Sequence, residues 1–414
     1  MRRSFSIAAL ALAGAALFAG SARAEAALTL GEAERRALSQ ESVAQLMAAR
    51  RGQADGAVSS AATWPNPEFT ASRESVDFAG ATSRERFYWL HQKFDISGER
   101  GLRKKAARQE ATVTEAEIAS LRRDIRLRVR ERFFAALHQQ QRLARITHWR
   151  EELGRVIDHA EKRHRAGDIS AYDVVRLQRA ASSFRTQADT ARARHARALS
   201  ELAALIGQDA SEPPAALAGT LAPEALPPLD SYLRRLPQLP ELQALQAQAD
   251  AHRLTAEAEK RAVIPDITIG AGYKELREGG RRFDGSLLSL GFRIPLFDRN
   301  QGRRASAEAA AEAQAAEGRI ALAQMRGEVI GRWRELRELQ RNASRFARDN
   351  QASSRALLQA AEAAYNAAEI GALELVDAYR NVLDADLRLL TLRERARSAS
   401  IALQRLTPGD ANDQ

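Results

Sequence analysis

The chain has 414 residues, 45% of them apolar and only 6% aromatic, with a formal net charge of +10 and no cysteine. Without cysteine there can be no disulfide, thiolate metal site, cysteine nucleophile or lipid-modified N-terminal cysteine. The length exceeds that of one ordinary globular domain, and the abundant alanine and arginine favour helices, where they lose little rotamer freedom.

Residues 1–24 read as an export signal. Arg2 and Arg3 supply the positive start, Ile7 to Phe18 an apolar core, and Ala22-Arg23-Ala24 a small-residue cleavage site. Cleavage there leaves Glu25 first and lowers the formal charge from +10 to +7. For an exported chain no nucleic-acid partner is expected, and the basic balance is assigned to arginine-rich, solvated helix faces. Beyond the signal no run of 18 apolar residues occurs. A mature chain of this kind crosses a membrane only as strands of a closed barrel, the one other geometry that satisfies its backbone in lipid.

The mature chain divides into two copies of one pattern. Residues 25–210 hold a helix, a strand pair and a long helical hairpin; 211–240 form a proline-rich linker; 241–407 repeat the pattern; 408–414 are a tail. Pro65 is answered by Pro265, Phe94 by Ile294, and Glu161–Val175 by Glu362–Val376 at an offset of 201. A period of that size is a duplication, not a solenoid.

In the first copy, 67–76 and 86–95 take the strand positions. In the second, Ile267, Ile269, Ala271 and Tyr273 alternate with small or polar residues, as do Leu288, Leu290, Phe292 and Ile294. Each run is close to the ~10 residues of a membrane-spanning strand. The segments between them, DFAGATS and REGGRRFDG, read as hairpin tips. After each pair comes a helix without proline. Ile118, Leu121, Ile125, Val129, Phe133 and Leu137 form its apolar stripe, and Arg122, Arg123, Arg126, Arg130 and Arg132 lie between. From Arg100 to Lys162 that rod is roughly 90 Å long and requires coiled-coil partners. Four strands cannot close a membrane barrel, which needs at least ~8. The pattern therefore implies a mixed, mainly α chain in an oligomeric barrel continued by a helical tube.

The motifs WPNPEF (64–69), QKFDISGERGLRKKA (92–106), IPDITIGAGY (264–273) and FRIPLFDRNQG (292–302) occur in that order, with the duplicated tips RAGDISAYDV and AEIGALELVDA. In these the chain resembles the TolC-type outer-membrane efflux channels, in their heavy-metal branch (CzcC-like and CusC-like). The resemblance implies a homotrimer whose twelve strands, four per chain, form one barrel in outer-membrane lipid, continued by a periplasmic α-helical tunnel. It implies that 292–294 end the last strand, that Pro295 and residues 298–302 turn the chain at the membrane surface, and that Asp298 or Asn300 caps a helix starting near Arg303.

The resemblance also places function at the tips. Gly167, Asp168, Ile169 and Ser170, with Glu369, Ile370, Gly371 and Ala372, fall where a periplasmic adaptor (membrane fusion) protein docks. Glu374, Asp377, Asp173 and Tyr365 fall on gate and pore positions. Threefold symmetry would turn Glu374 and Asp377 into two rings of three carboxylates that attract cations and crowd one another's charge. Ile370 replaces the family's gate arginine. No catalytic residue, cofactor or bound metal is expected: His159 and His164 lie on different helix faces.

The implied function is the exit duct of a tripartite pump driven by an inner-membrane resistance-nodulation-division (RND) transporter, with heavy-metal cations as cargo. The alternatives are a TolC-type channel for organic drugs or type I secretion, and a periplasmic coiled-coil adaptor. The adaptor reading lacks a lipoyl-like domain and leaves the strand pairs unexplained.

Overall fold

The computed structural model describes residues 27–78, 81–222 and 224–407. The predicted signal, the tail 408–414, Pro223 of the linker and residues 79 and 80 of the first hairpin tip lie outside the described residues. The first copy runs β1 (Leu28–Thr29), α1 (Leu30–Leu38), α2 (Glu41–Ala62), β2 (Glu68–Phe78), β3 (Ala81–Phe94), α3 (Glu99–Arg165) and α4 (Ala171–Leu205). β4 (Leu217–Ala218) and α5 (Leu229–Arg235) follow, and the second copy runs α6 (Pro240–Arg261), β5 (Ile267–Glu278), β6 (Arg281–Phe292), α7 (Gln301–Asn366) and α8 (Ala372–Gln404). No described helix is long and apolar enough to cross a membrane.

The four long strands form one antiparallel sheet in the order β2-β3-β5-β6. Its register sorts the side chains cleanly. On one face Phe69, Leu90, Ala271 and Leu288 lie in a row, followed by Gln92, Ile269 and Leu290, then Phe94, Ile267 and Phe292. Leu288 is 82% exposed in the single chain, which is what a lipid-facing side chain requires. The other face carries Glu68, His91, Gly270 and Ser289 in one row and Thr70, Trp89, Gly272 and Leu287 in the next.

Two expectations about the strands are corrected. They reach further toward the hairpin ends than apolar alternation indicated, so most of REGGRRFDG is strand. Its turn is only Gly279-Gly280, both at positive φ, the two-residue turn whose twist matches a hairpin. The charged residues there still alternate, but with arginine and glutamate in place of leucine. At the other end β6 stops at Phe292. Residues 293–297 are not strand, and Ile294, Leu296 and Phe297 extend the exposed apolar band toward the helices.

α3 and α7 have 67 and 66 residues, rods of about 100 Å at 1.5 Å per residue. Neither could stand alone. Near the sheet α3 packs on α2 and α6, and α6 packs on α7; farther away the order is α4, α3, α8, α7. One continuous core follows the second stretch, with Phe133, Leu137, Ile146, Leu153, Leu177, Phe184 and Tyr379 nearly fully buried. Several α3 arginines are not simply solvated, as the sequence suggested. Arg123 and Ser120 hold Glu241 of α6, Arg130 donates to Glu34 and Gln404, and Arg132 donates to Glu201 of α4.

The strand-to-helix corners are built differently in the two copies. Asp95 accepts from the backbone N–H groups of Ser97, Gly98 and Arg100 at 2.9, 3.1 and 3.0 Å, while Gly98 takes φ 76°. Arg100 then lies over the Trp64 ring at 3.9 Å and donates to the Ala62 carbonyl, so two of the diagnostic motifs meet in space. In the second corner α7 starts at Gln301, not near Arg303, and Asn300 takes the left-handed conformation with no side-chain cap. Asp298 accepts from the Asn300 N–H, and the Asn300 amide oxygen accepts from Arg303. Asparagine is among the few non-glycine residues that tolerate this conformation.

Burial would push the Asp95 carboxyl up, but the Arg100, Ser97 and Gly98 donors outweigh it and hold it below the usual carboxylate range. Its contribution is therefore present above the unfolded value of about 3.9 and lost as pH falls through the lower folded value. Asp95→Ala should cost about 1–2 kcal/mol at neutral pH, the range for losing a helix cap, and progressively less in acid. Equal melting of variant and wild type at pH 7 would refute the assignment.

Candidate functional site

The far ends of the two hairpins lie side by side, and both close with the same backbone device. At the α3–α4 tip the Asp168 N–H donates to the Arg163 carbonyl at 2.9 Å and the Gly167 N–H to the His164 carbonyl at 2.9 Å. At the α7–α8 tip the Glu369 N–H donates to the Ala364 carbonyl at 2.8 Å and the Ala368 N–H to the Tyr365 carbonyl at 3.1 Å. These are Schellman closures, which place one residue in the left-handed region. Gly167 fills that place at φ 87°, but in the second tip it falls to Ala368 at φ 59°. Gly371 takes no part in this closure and precedes α8 at φ −89°.

The starts of α4 and α8 differ in the same way. Ser170 accepts from the Asp173 N–H and donates to the Asp173 carboxylate at 2.7 Å, a reciprocal cap. Gly371 has no side chain to offer, and the Glu374 carboxylate lies against it instead. The second tip is thus the more weakly closed. Ala368→Gly should stabilise it by about 1 kcal/mol, because glycine carries no Cβ penalty at positive φ. A melt unchanged or lowered in that variant would show the turn to be relaxed already.

Of the predicted tip residues, Gly167, Asp168, Ser170, Glu369 and Gly371 are exposed. Ile169 and Ile370 pack against the core, and Ala372 is fully buried. Ala372 therefore offers no surface to a partner. The exposed apolar side chains here are Tyr172, Val175 and Leu373, on the first turns of α4 and α8. Their signal in the sequence was an apolar residue on the solvent side of a helix start.

Of the predicted gate residues, Glu374 and Asp377 are exposed on one face of α8, and Asp377 lies 3.8 Å from Arg380. Asp173 is engaged in the α4 cap. Tyr365 is buried among the hairpins with no hydrogen-bond partner for its hydroxyl, and burial pushes its phenol up. The cation beside it comes from the other hairpin: Arg163 lies 5.7 Å from the Tyr365 ring and donates to the Tyr365 carbonyl at 3.2 Å. Sequence reading missed Arg163 because its partner is some two hundred residues away. Among the described residues no three His, Asp or Glu side chains converge in a metal-binding arrangement.

A lipid-faced four-stranded sheet joined to paired helical rods defines an outer-membrane channel protomer. Residues 234–409 match the Outer membrane efflux protein family. The chain is 29% identical to the cobalt-zinc-cadmium resistance protein CzcC of Cupriavidus metallidurans, over 85% of this chain and 83% of that protein. It is 28% identical to the nickel and cobalt resistance protein CnrC of the same organism, over 67% of this chain and 66% of that protein. A solved structure of CusC superposes with a TM-score of 0.72 at 18% identity, over 92% of each chain.

Residues 234–409 thus match the outer membrane efflux protein family, and most of the chain is similar to CzcC, in line with the TolC-type resemblance. It is an outer-membrane efflux channel with a large periplasmic helical part.

Proposed function

We propose that this channel is the exit duct of a tripartite pump of the RND type and that heavy-metal cations are its cargo. The observation that carries the cargo reading is the likeness to CzcC across most of both chains. Three copies would supply twelve strands, enough to close a membrane barrel, and the free edges of that sheet, β2 and β6, would join neighbouring copies. A periplasmic adaptor would dock on the tips through Gly167, Asp168, Ser170, Glu369 and Gly371, with Tyr172, Val175 and Leu373 as apolar anchors. The inner-membrane transporter would supply the energy.

The test is a susceptibility panel on a strain lacking the gene, with complementation, comparing zinc, cobalt, cadmium, nickel, copper and silver with dyes, detergents and antibiotics. Sensitivity to particular metals supports the reading. Sensitivity to organic compounds alone overturns the cargo and keeps the channel.

Glu374 and Asp377 would ring the tunnel end, with Arg380 offsetting part of the charge at Asp377. Glu374→Ala with Asp377→Ala should lower the cation preference of single channels severalfold, because charged rings set selectivity. Unchanged conductance and selectivity would refute the ring. The cross-hairpin contact of Arg163 with Tyr365 takes the place of the family's gate arginine in this reading.

A further inference from the structure

Above the apolar rows of the sheet, on the same outward face, Ala71, Tyr88, Tyr273 and Ser286 form a row in which the two tyrosine rings stack at 6.5 Å. Interfacial aromatics of this kind mark the depth where a barrel leaves the hydrocarbon. The helices are periplasmic, so this end of the sheet faces the outer leaflet. The next two rows outward are not ordinary. Arg73, Arg86, Glu275 and Asp284 lie abreast, and then Ser75, Arg84, Arg277 and Arg282.

Three arginines thus stand directly opposite one another across three strands, and Arg73 faces Arg86 in the same way. Side chains so placed have Cβ atoms about 5 Å apart, and like charges there repel. The partly compensating group is Glu275, which accepts from Arg277 at 2.8 Å and lies 3.4 Å from Arg282. Arg277 and Arg282 nevertheless remain more than half exposed. Five arginines against two carboxylates leave a positive shelf at headgroup depth, facing the lipid.

We propose that this shelf binds the phosphorylated headgroup of an outer-leaflet lipid, with Arg84, Arg277 and Arg282 as its phosphate ligands. The guanidinium fork matches phosphate oxygens in pairs, and a phosphomonoester brings nearly two negative charges to a row that lacks them. The rows above and below divide the work: tyrosines and leucines meet the acyl region, arginines the phosphate. The proposal rests on the register of one chain and is independent of the cargo.

The test uses the full-length channel in mild detergent, with phosphatidic acid, diacylglycerol of the same acyl chains, and inorganic phosphate as probes. Binding is read by native mass spectrometry and by the shift in melting temperature. Phosphatidic acid should bind at least tenfold more tightly than diacylglycerol, less so at high salt, and raise the melting temperature. The combined variant Arg84→Gln, Arg277→Gln and Arg282→Gln should lose that gain, read against its own melting temperature without lipid. Arg281→Gln, which removes a charge from the opposite face, should keep it. Equal binding of the two lipids, an undiminished gain in the triple variant, or equal binding of inorganic phosphate would overturn the proposal. Should the triple variant fail to assemble, the contrast between the two lipids on wild-type protein decides alone.

Discussion

Gly272→Val should lower the melting temperature by several degrees and reduce the yield of assembled channel, while Gly285→Val should do neither. Gly272 pairs with Trp89 across the β3–β5 seam, and the Trp89 indole packs against it. A Cβ at 272 would stand 2.7 Å from the indole and 3.0 Å from the Tyr88 carbonyl oxygen. The neighbouring pair repeats the arrangement, with His91 over Gly270 and the two rings stacked at 5.2 Å. The backbone cannot yield, because β5 is hydrogen-bonded on both sides. Overpacking of this kind costs about 1–3 kcal/mol, and this seam joins the sheet halves of the two copies. A Cβ at Gly285 meets nothing within 4 Å, so that variant controls for β-branching alone. Trp89→Ala in the Gly272→Val background should restore part of the loss. Wild-type melting of Gly272→Val would mean the ring is free to leave the glycine.

Tyr379→Ala should be the most damaging change in the tunnel, at about 3–5 kcal/mol for deleting a large buried aromatic. Tyr379 is 1% exposed; its hydroxyl donates to Glu362 of α7 at 2.6 Å, and its ring meets the edge of Trp149 of α3 at 6.0 Å. Trp149 in turn donates to Asp386 of α8 at 3.0 Å. Three helices are thereby held in register, with Tyr379 itself less than two turns from Glu374. Burial, then the bond to Glu362, raises the phenol well above its ordinary value, so it remains a donor at physiological pH. Tyr379→Phe separates the contributions: it keeps the packing and should lose about 1.5–3 kcal/mol for the bond to a charged acceptor. Both variants should raise basal conductance in proportion to their destabilisation. A Tyr379→Ala channel that melts and conducts like wild type would show that the hairpins are registered elsewhere.

Much of this architecture was legible in the residues themselves. Alternation at Ile267–Tyr273 and Leu288–Phe292 marks strands because side chains alternate across a pleat. The proline-free runs 68–212 and 296–407 permit unbroken rods because a helix interior tolerates no proline. Both are local properties, decided by backbone sterics and periodicity within a few residues.

Tertiary packing decided the rest. It lengthened the strands through charged residues that carry no apolar signal, buried Tyr365 and Ala372, and moved the left-handed turn position of the second tip to Ala368. It also set Arg163 against Tyr365, Tyr379 against Trp149, and three arginines abreast on β3, β5 and β6. None of those meetings has a period or a spacing. Each depends on which segments, up to some two hundred residues apart, share a register or a groove, and that is settled only when the two copies pack together.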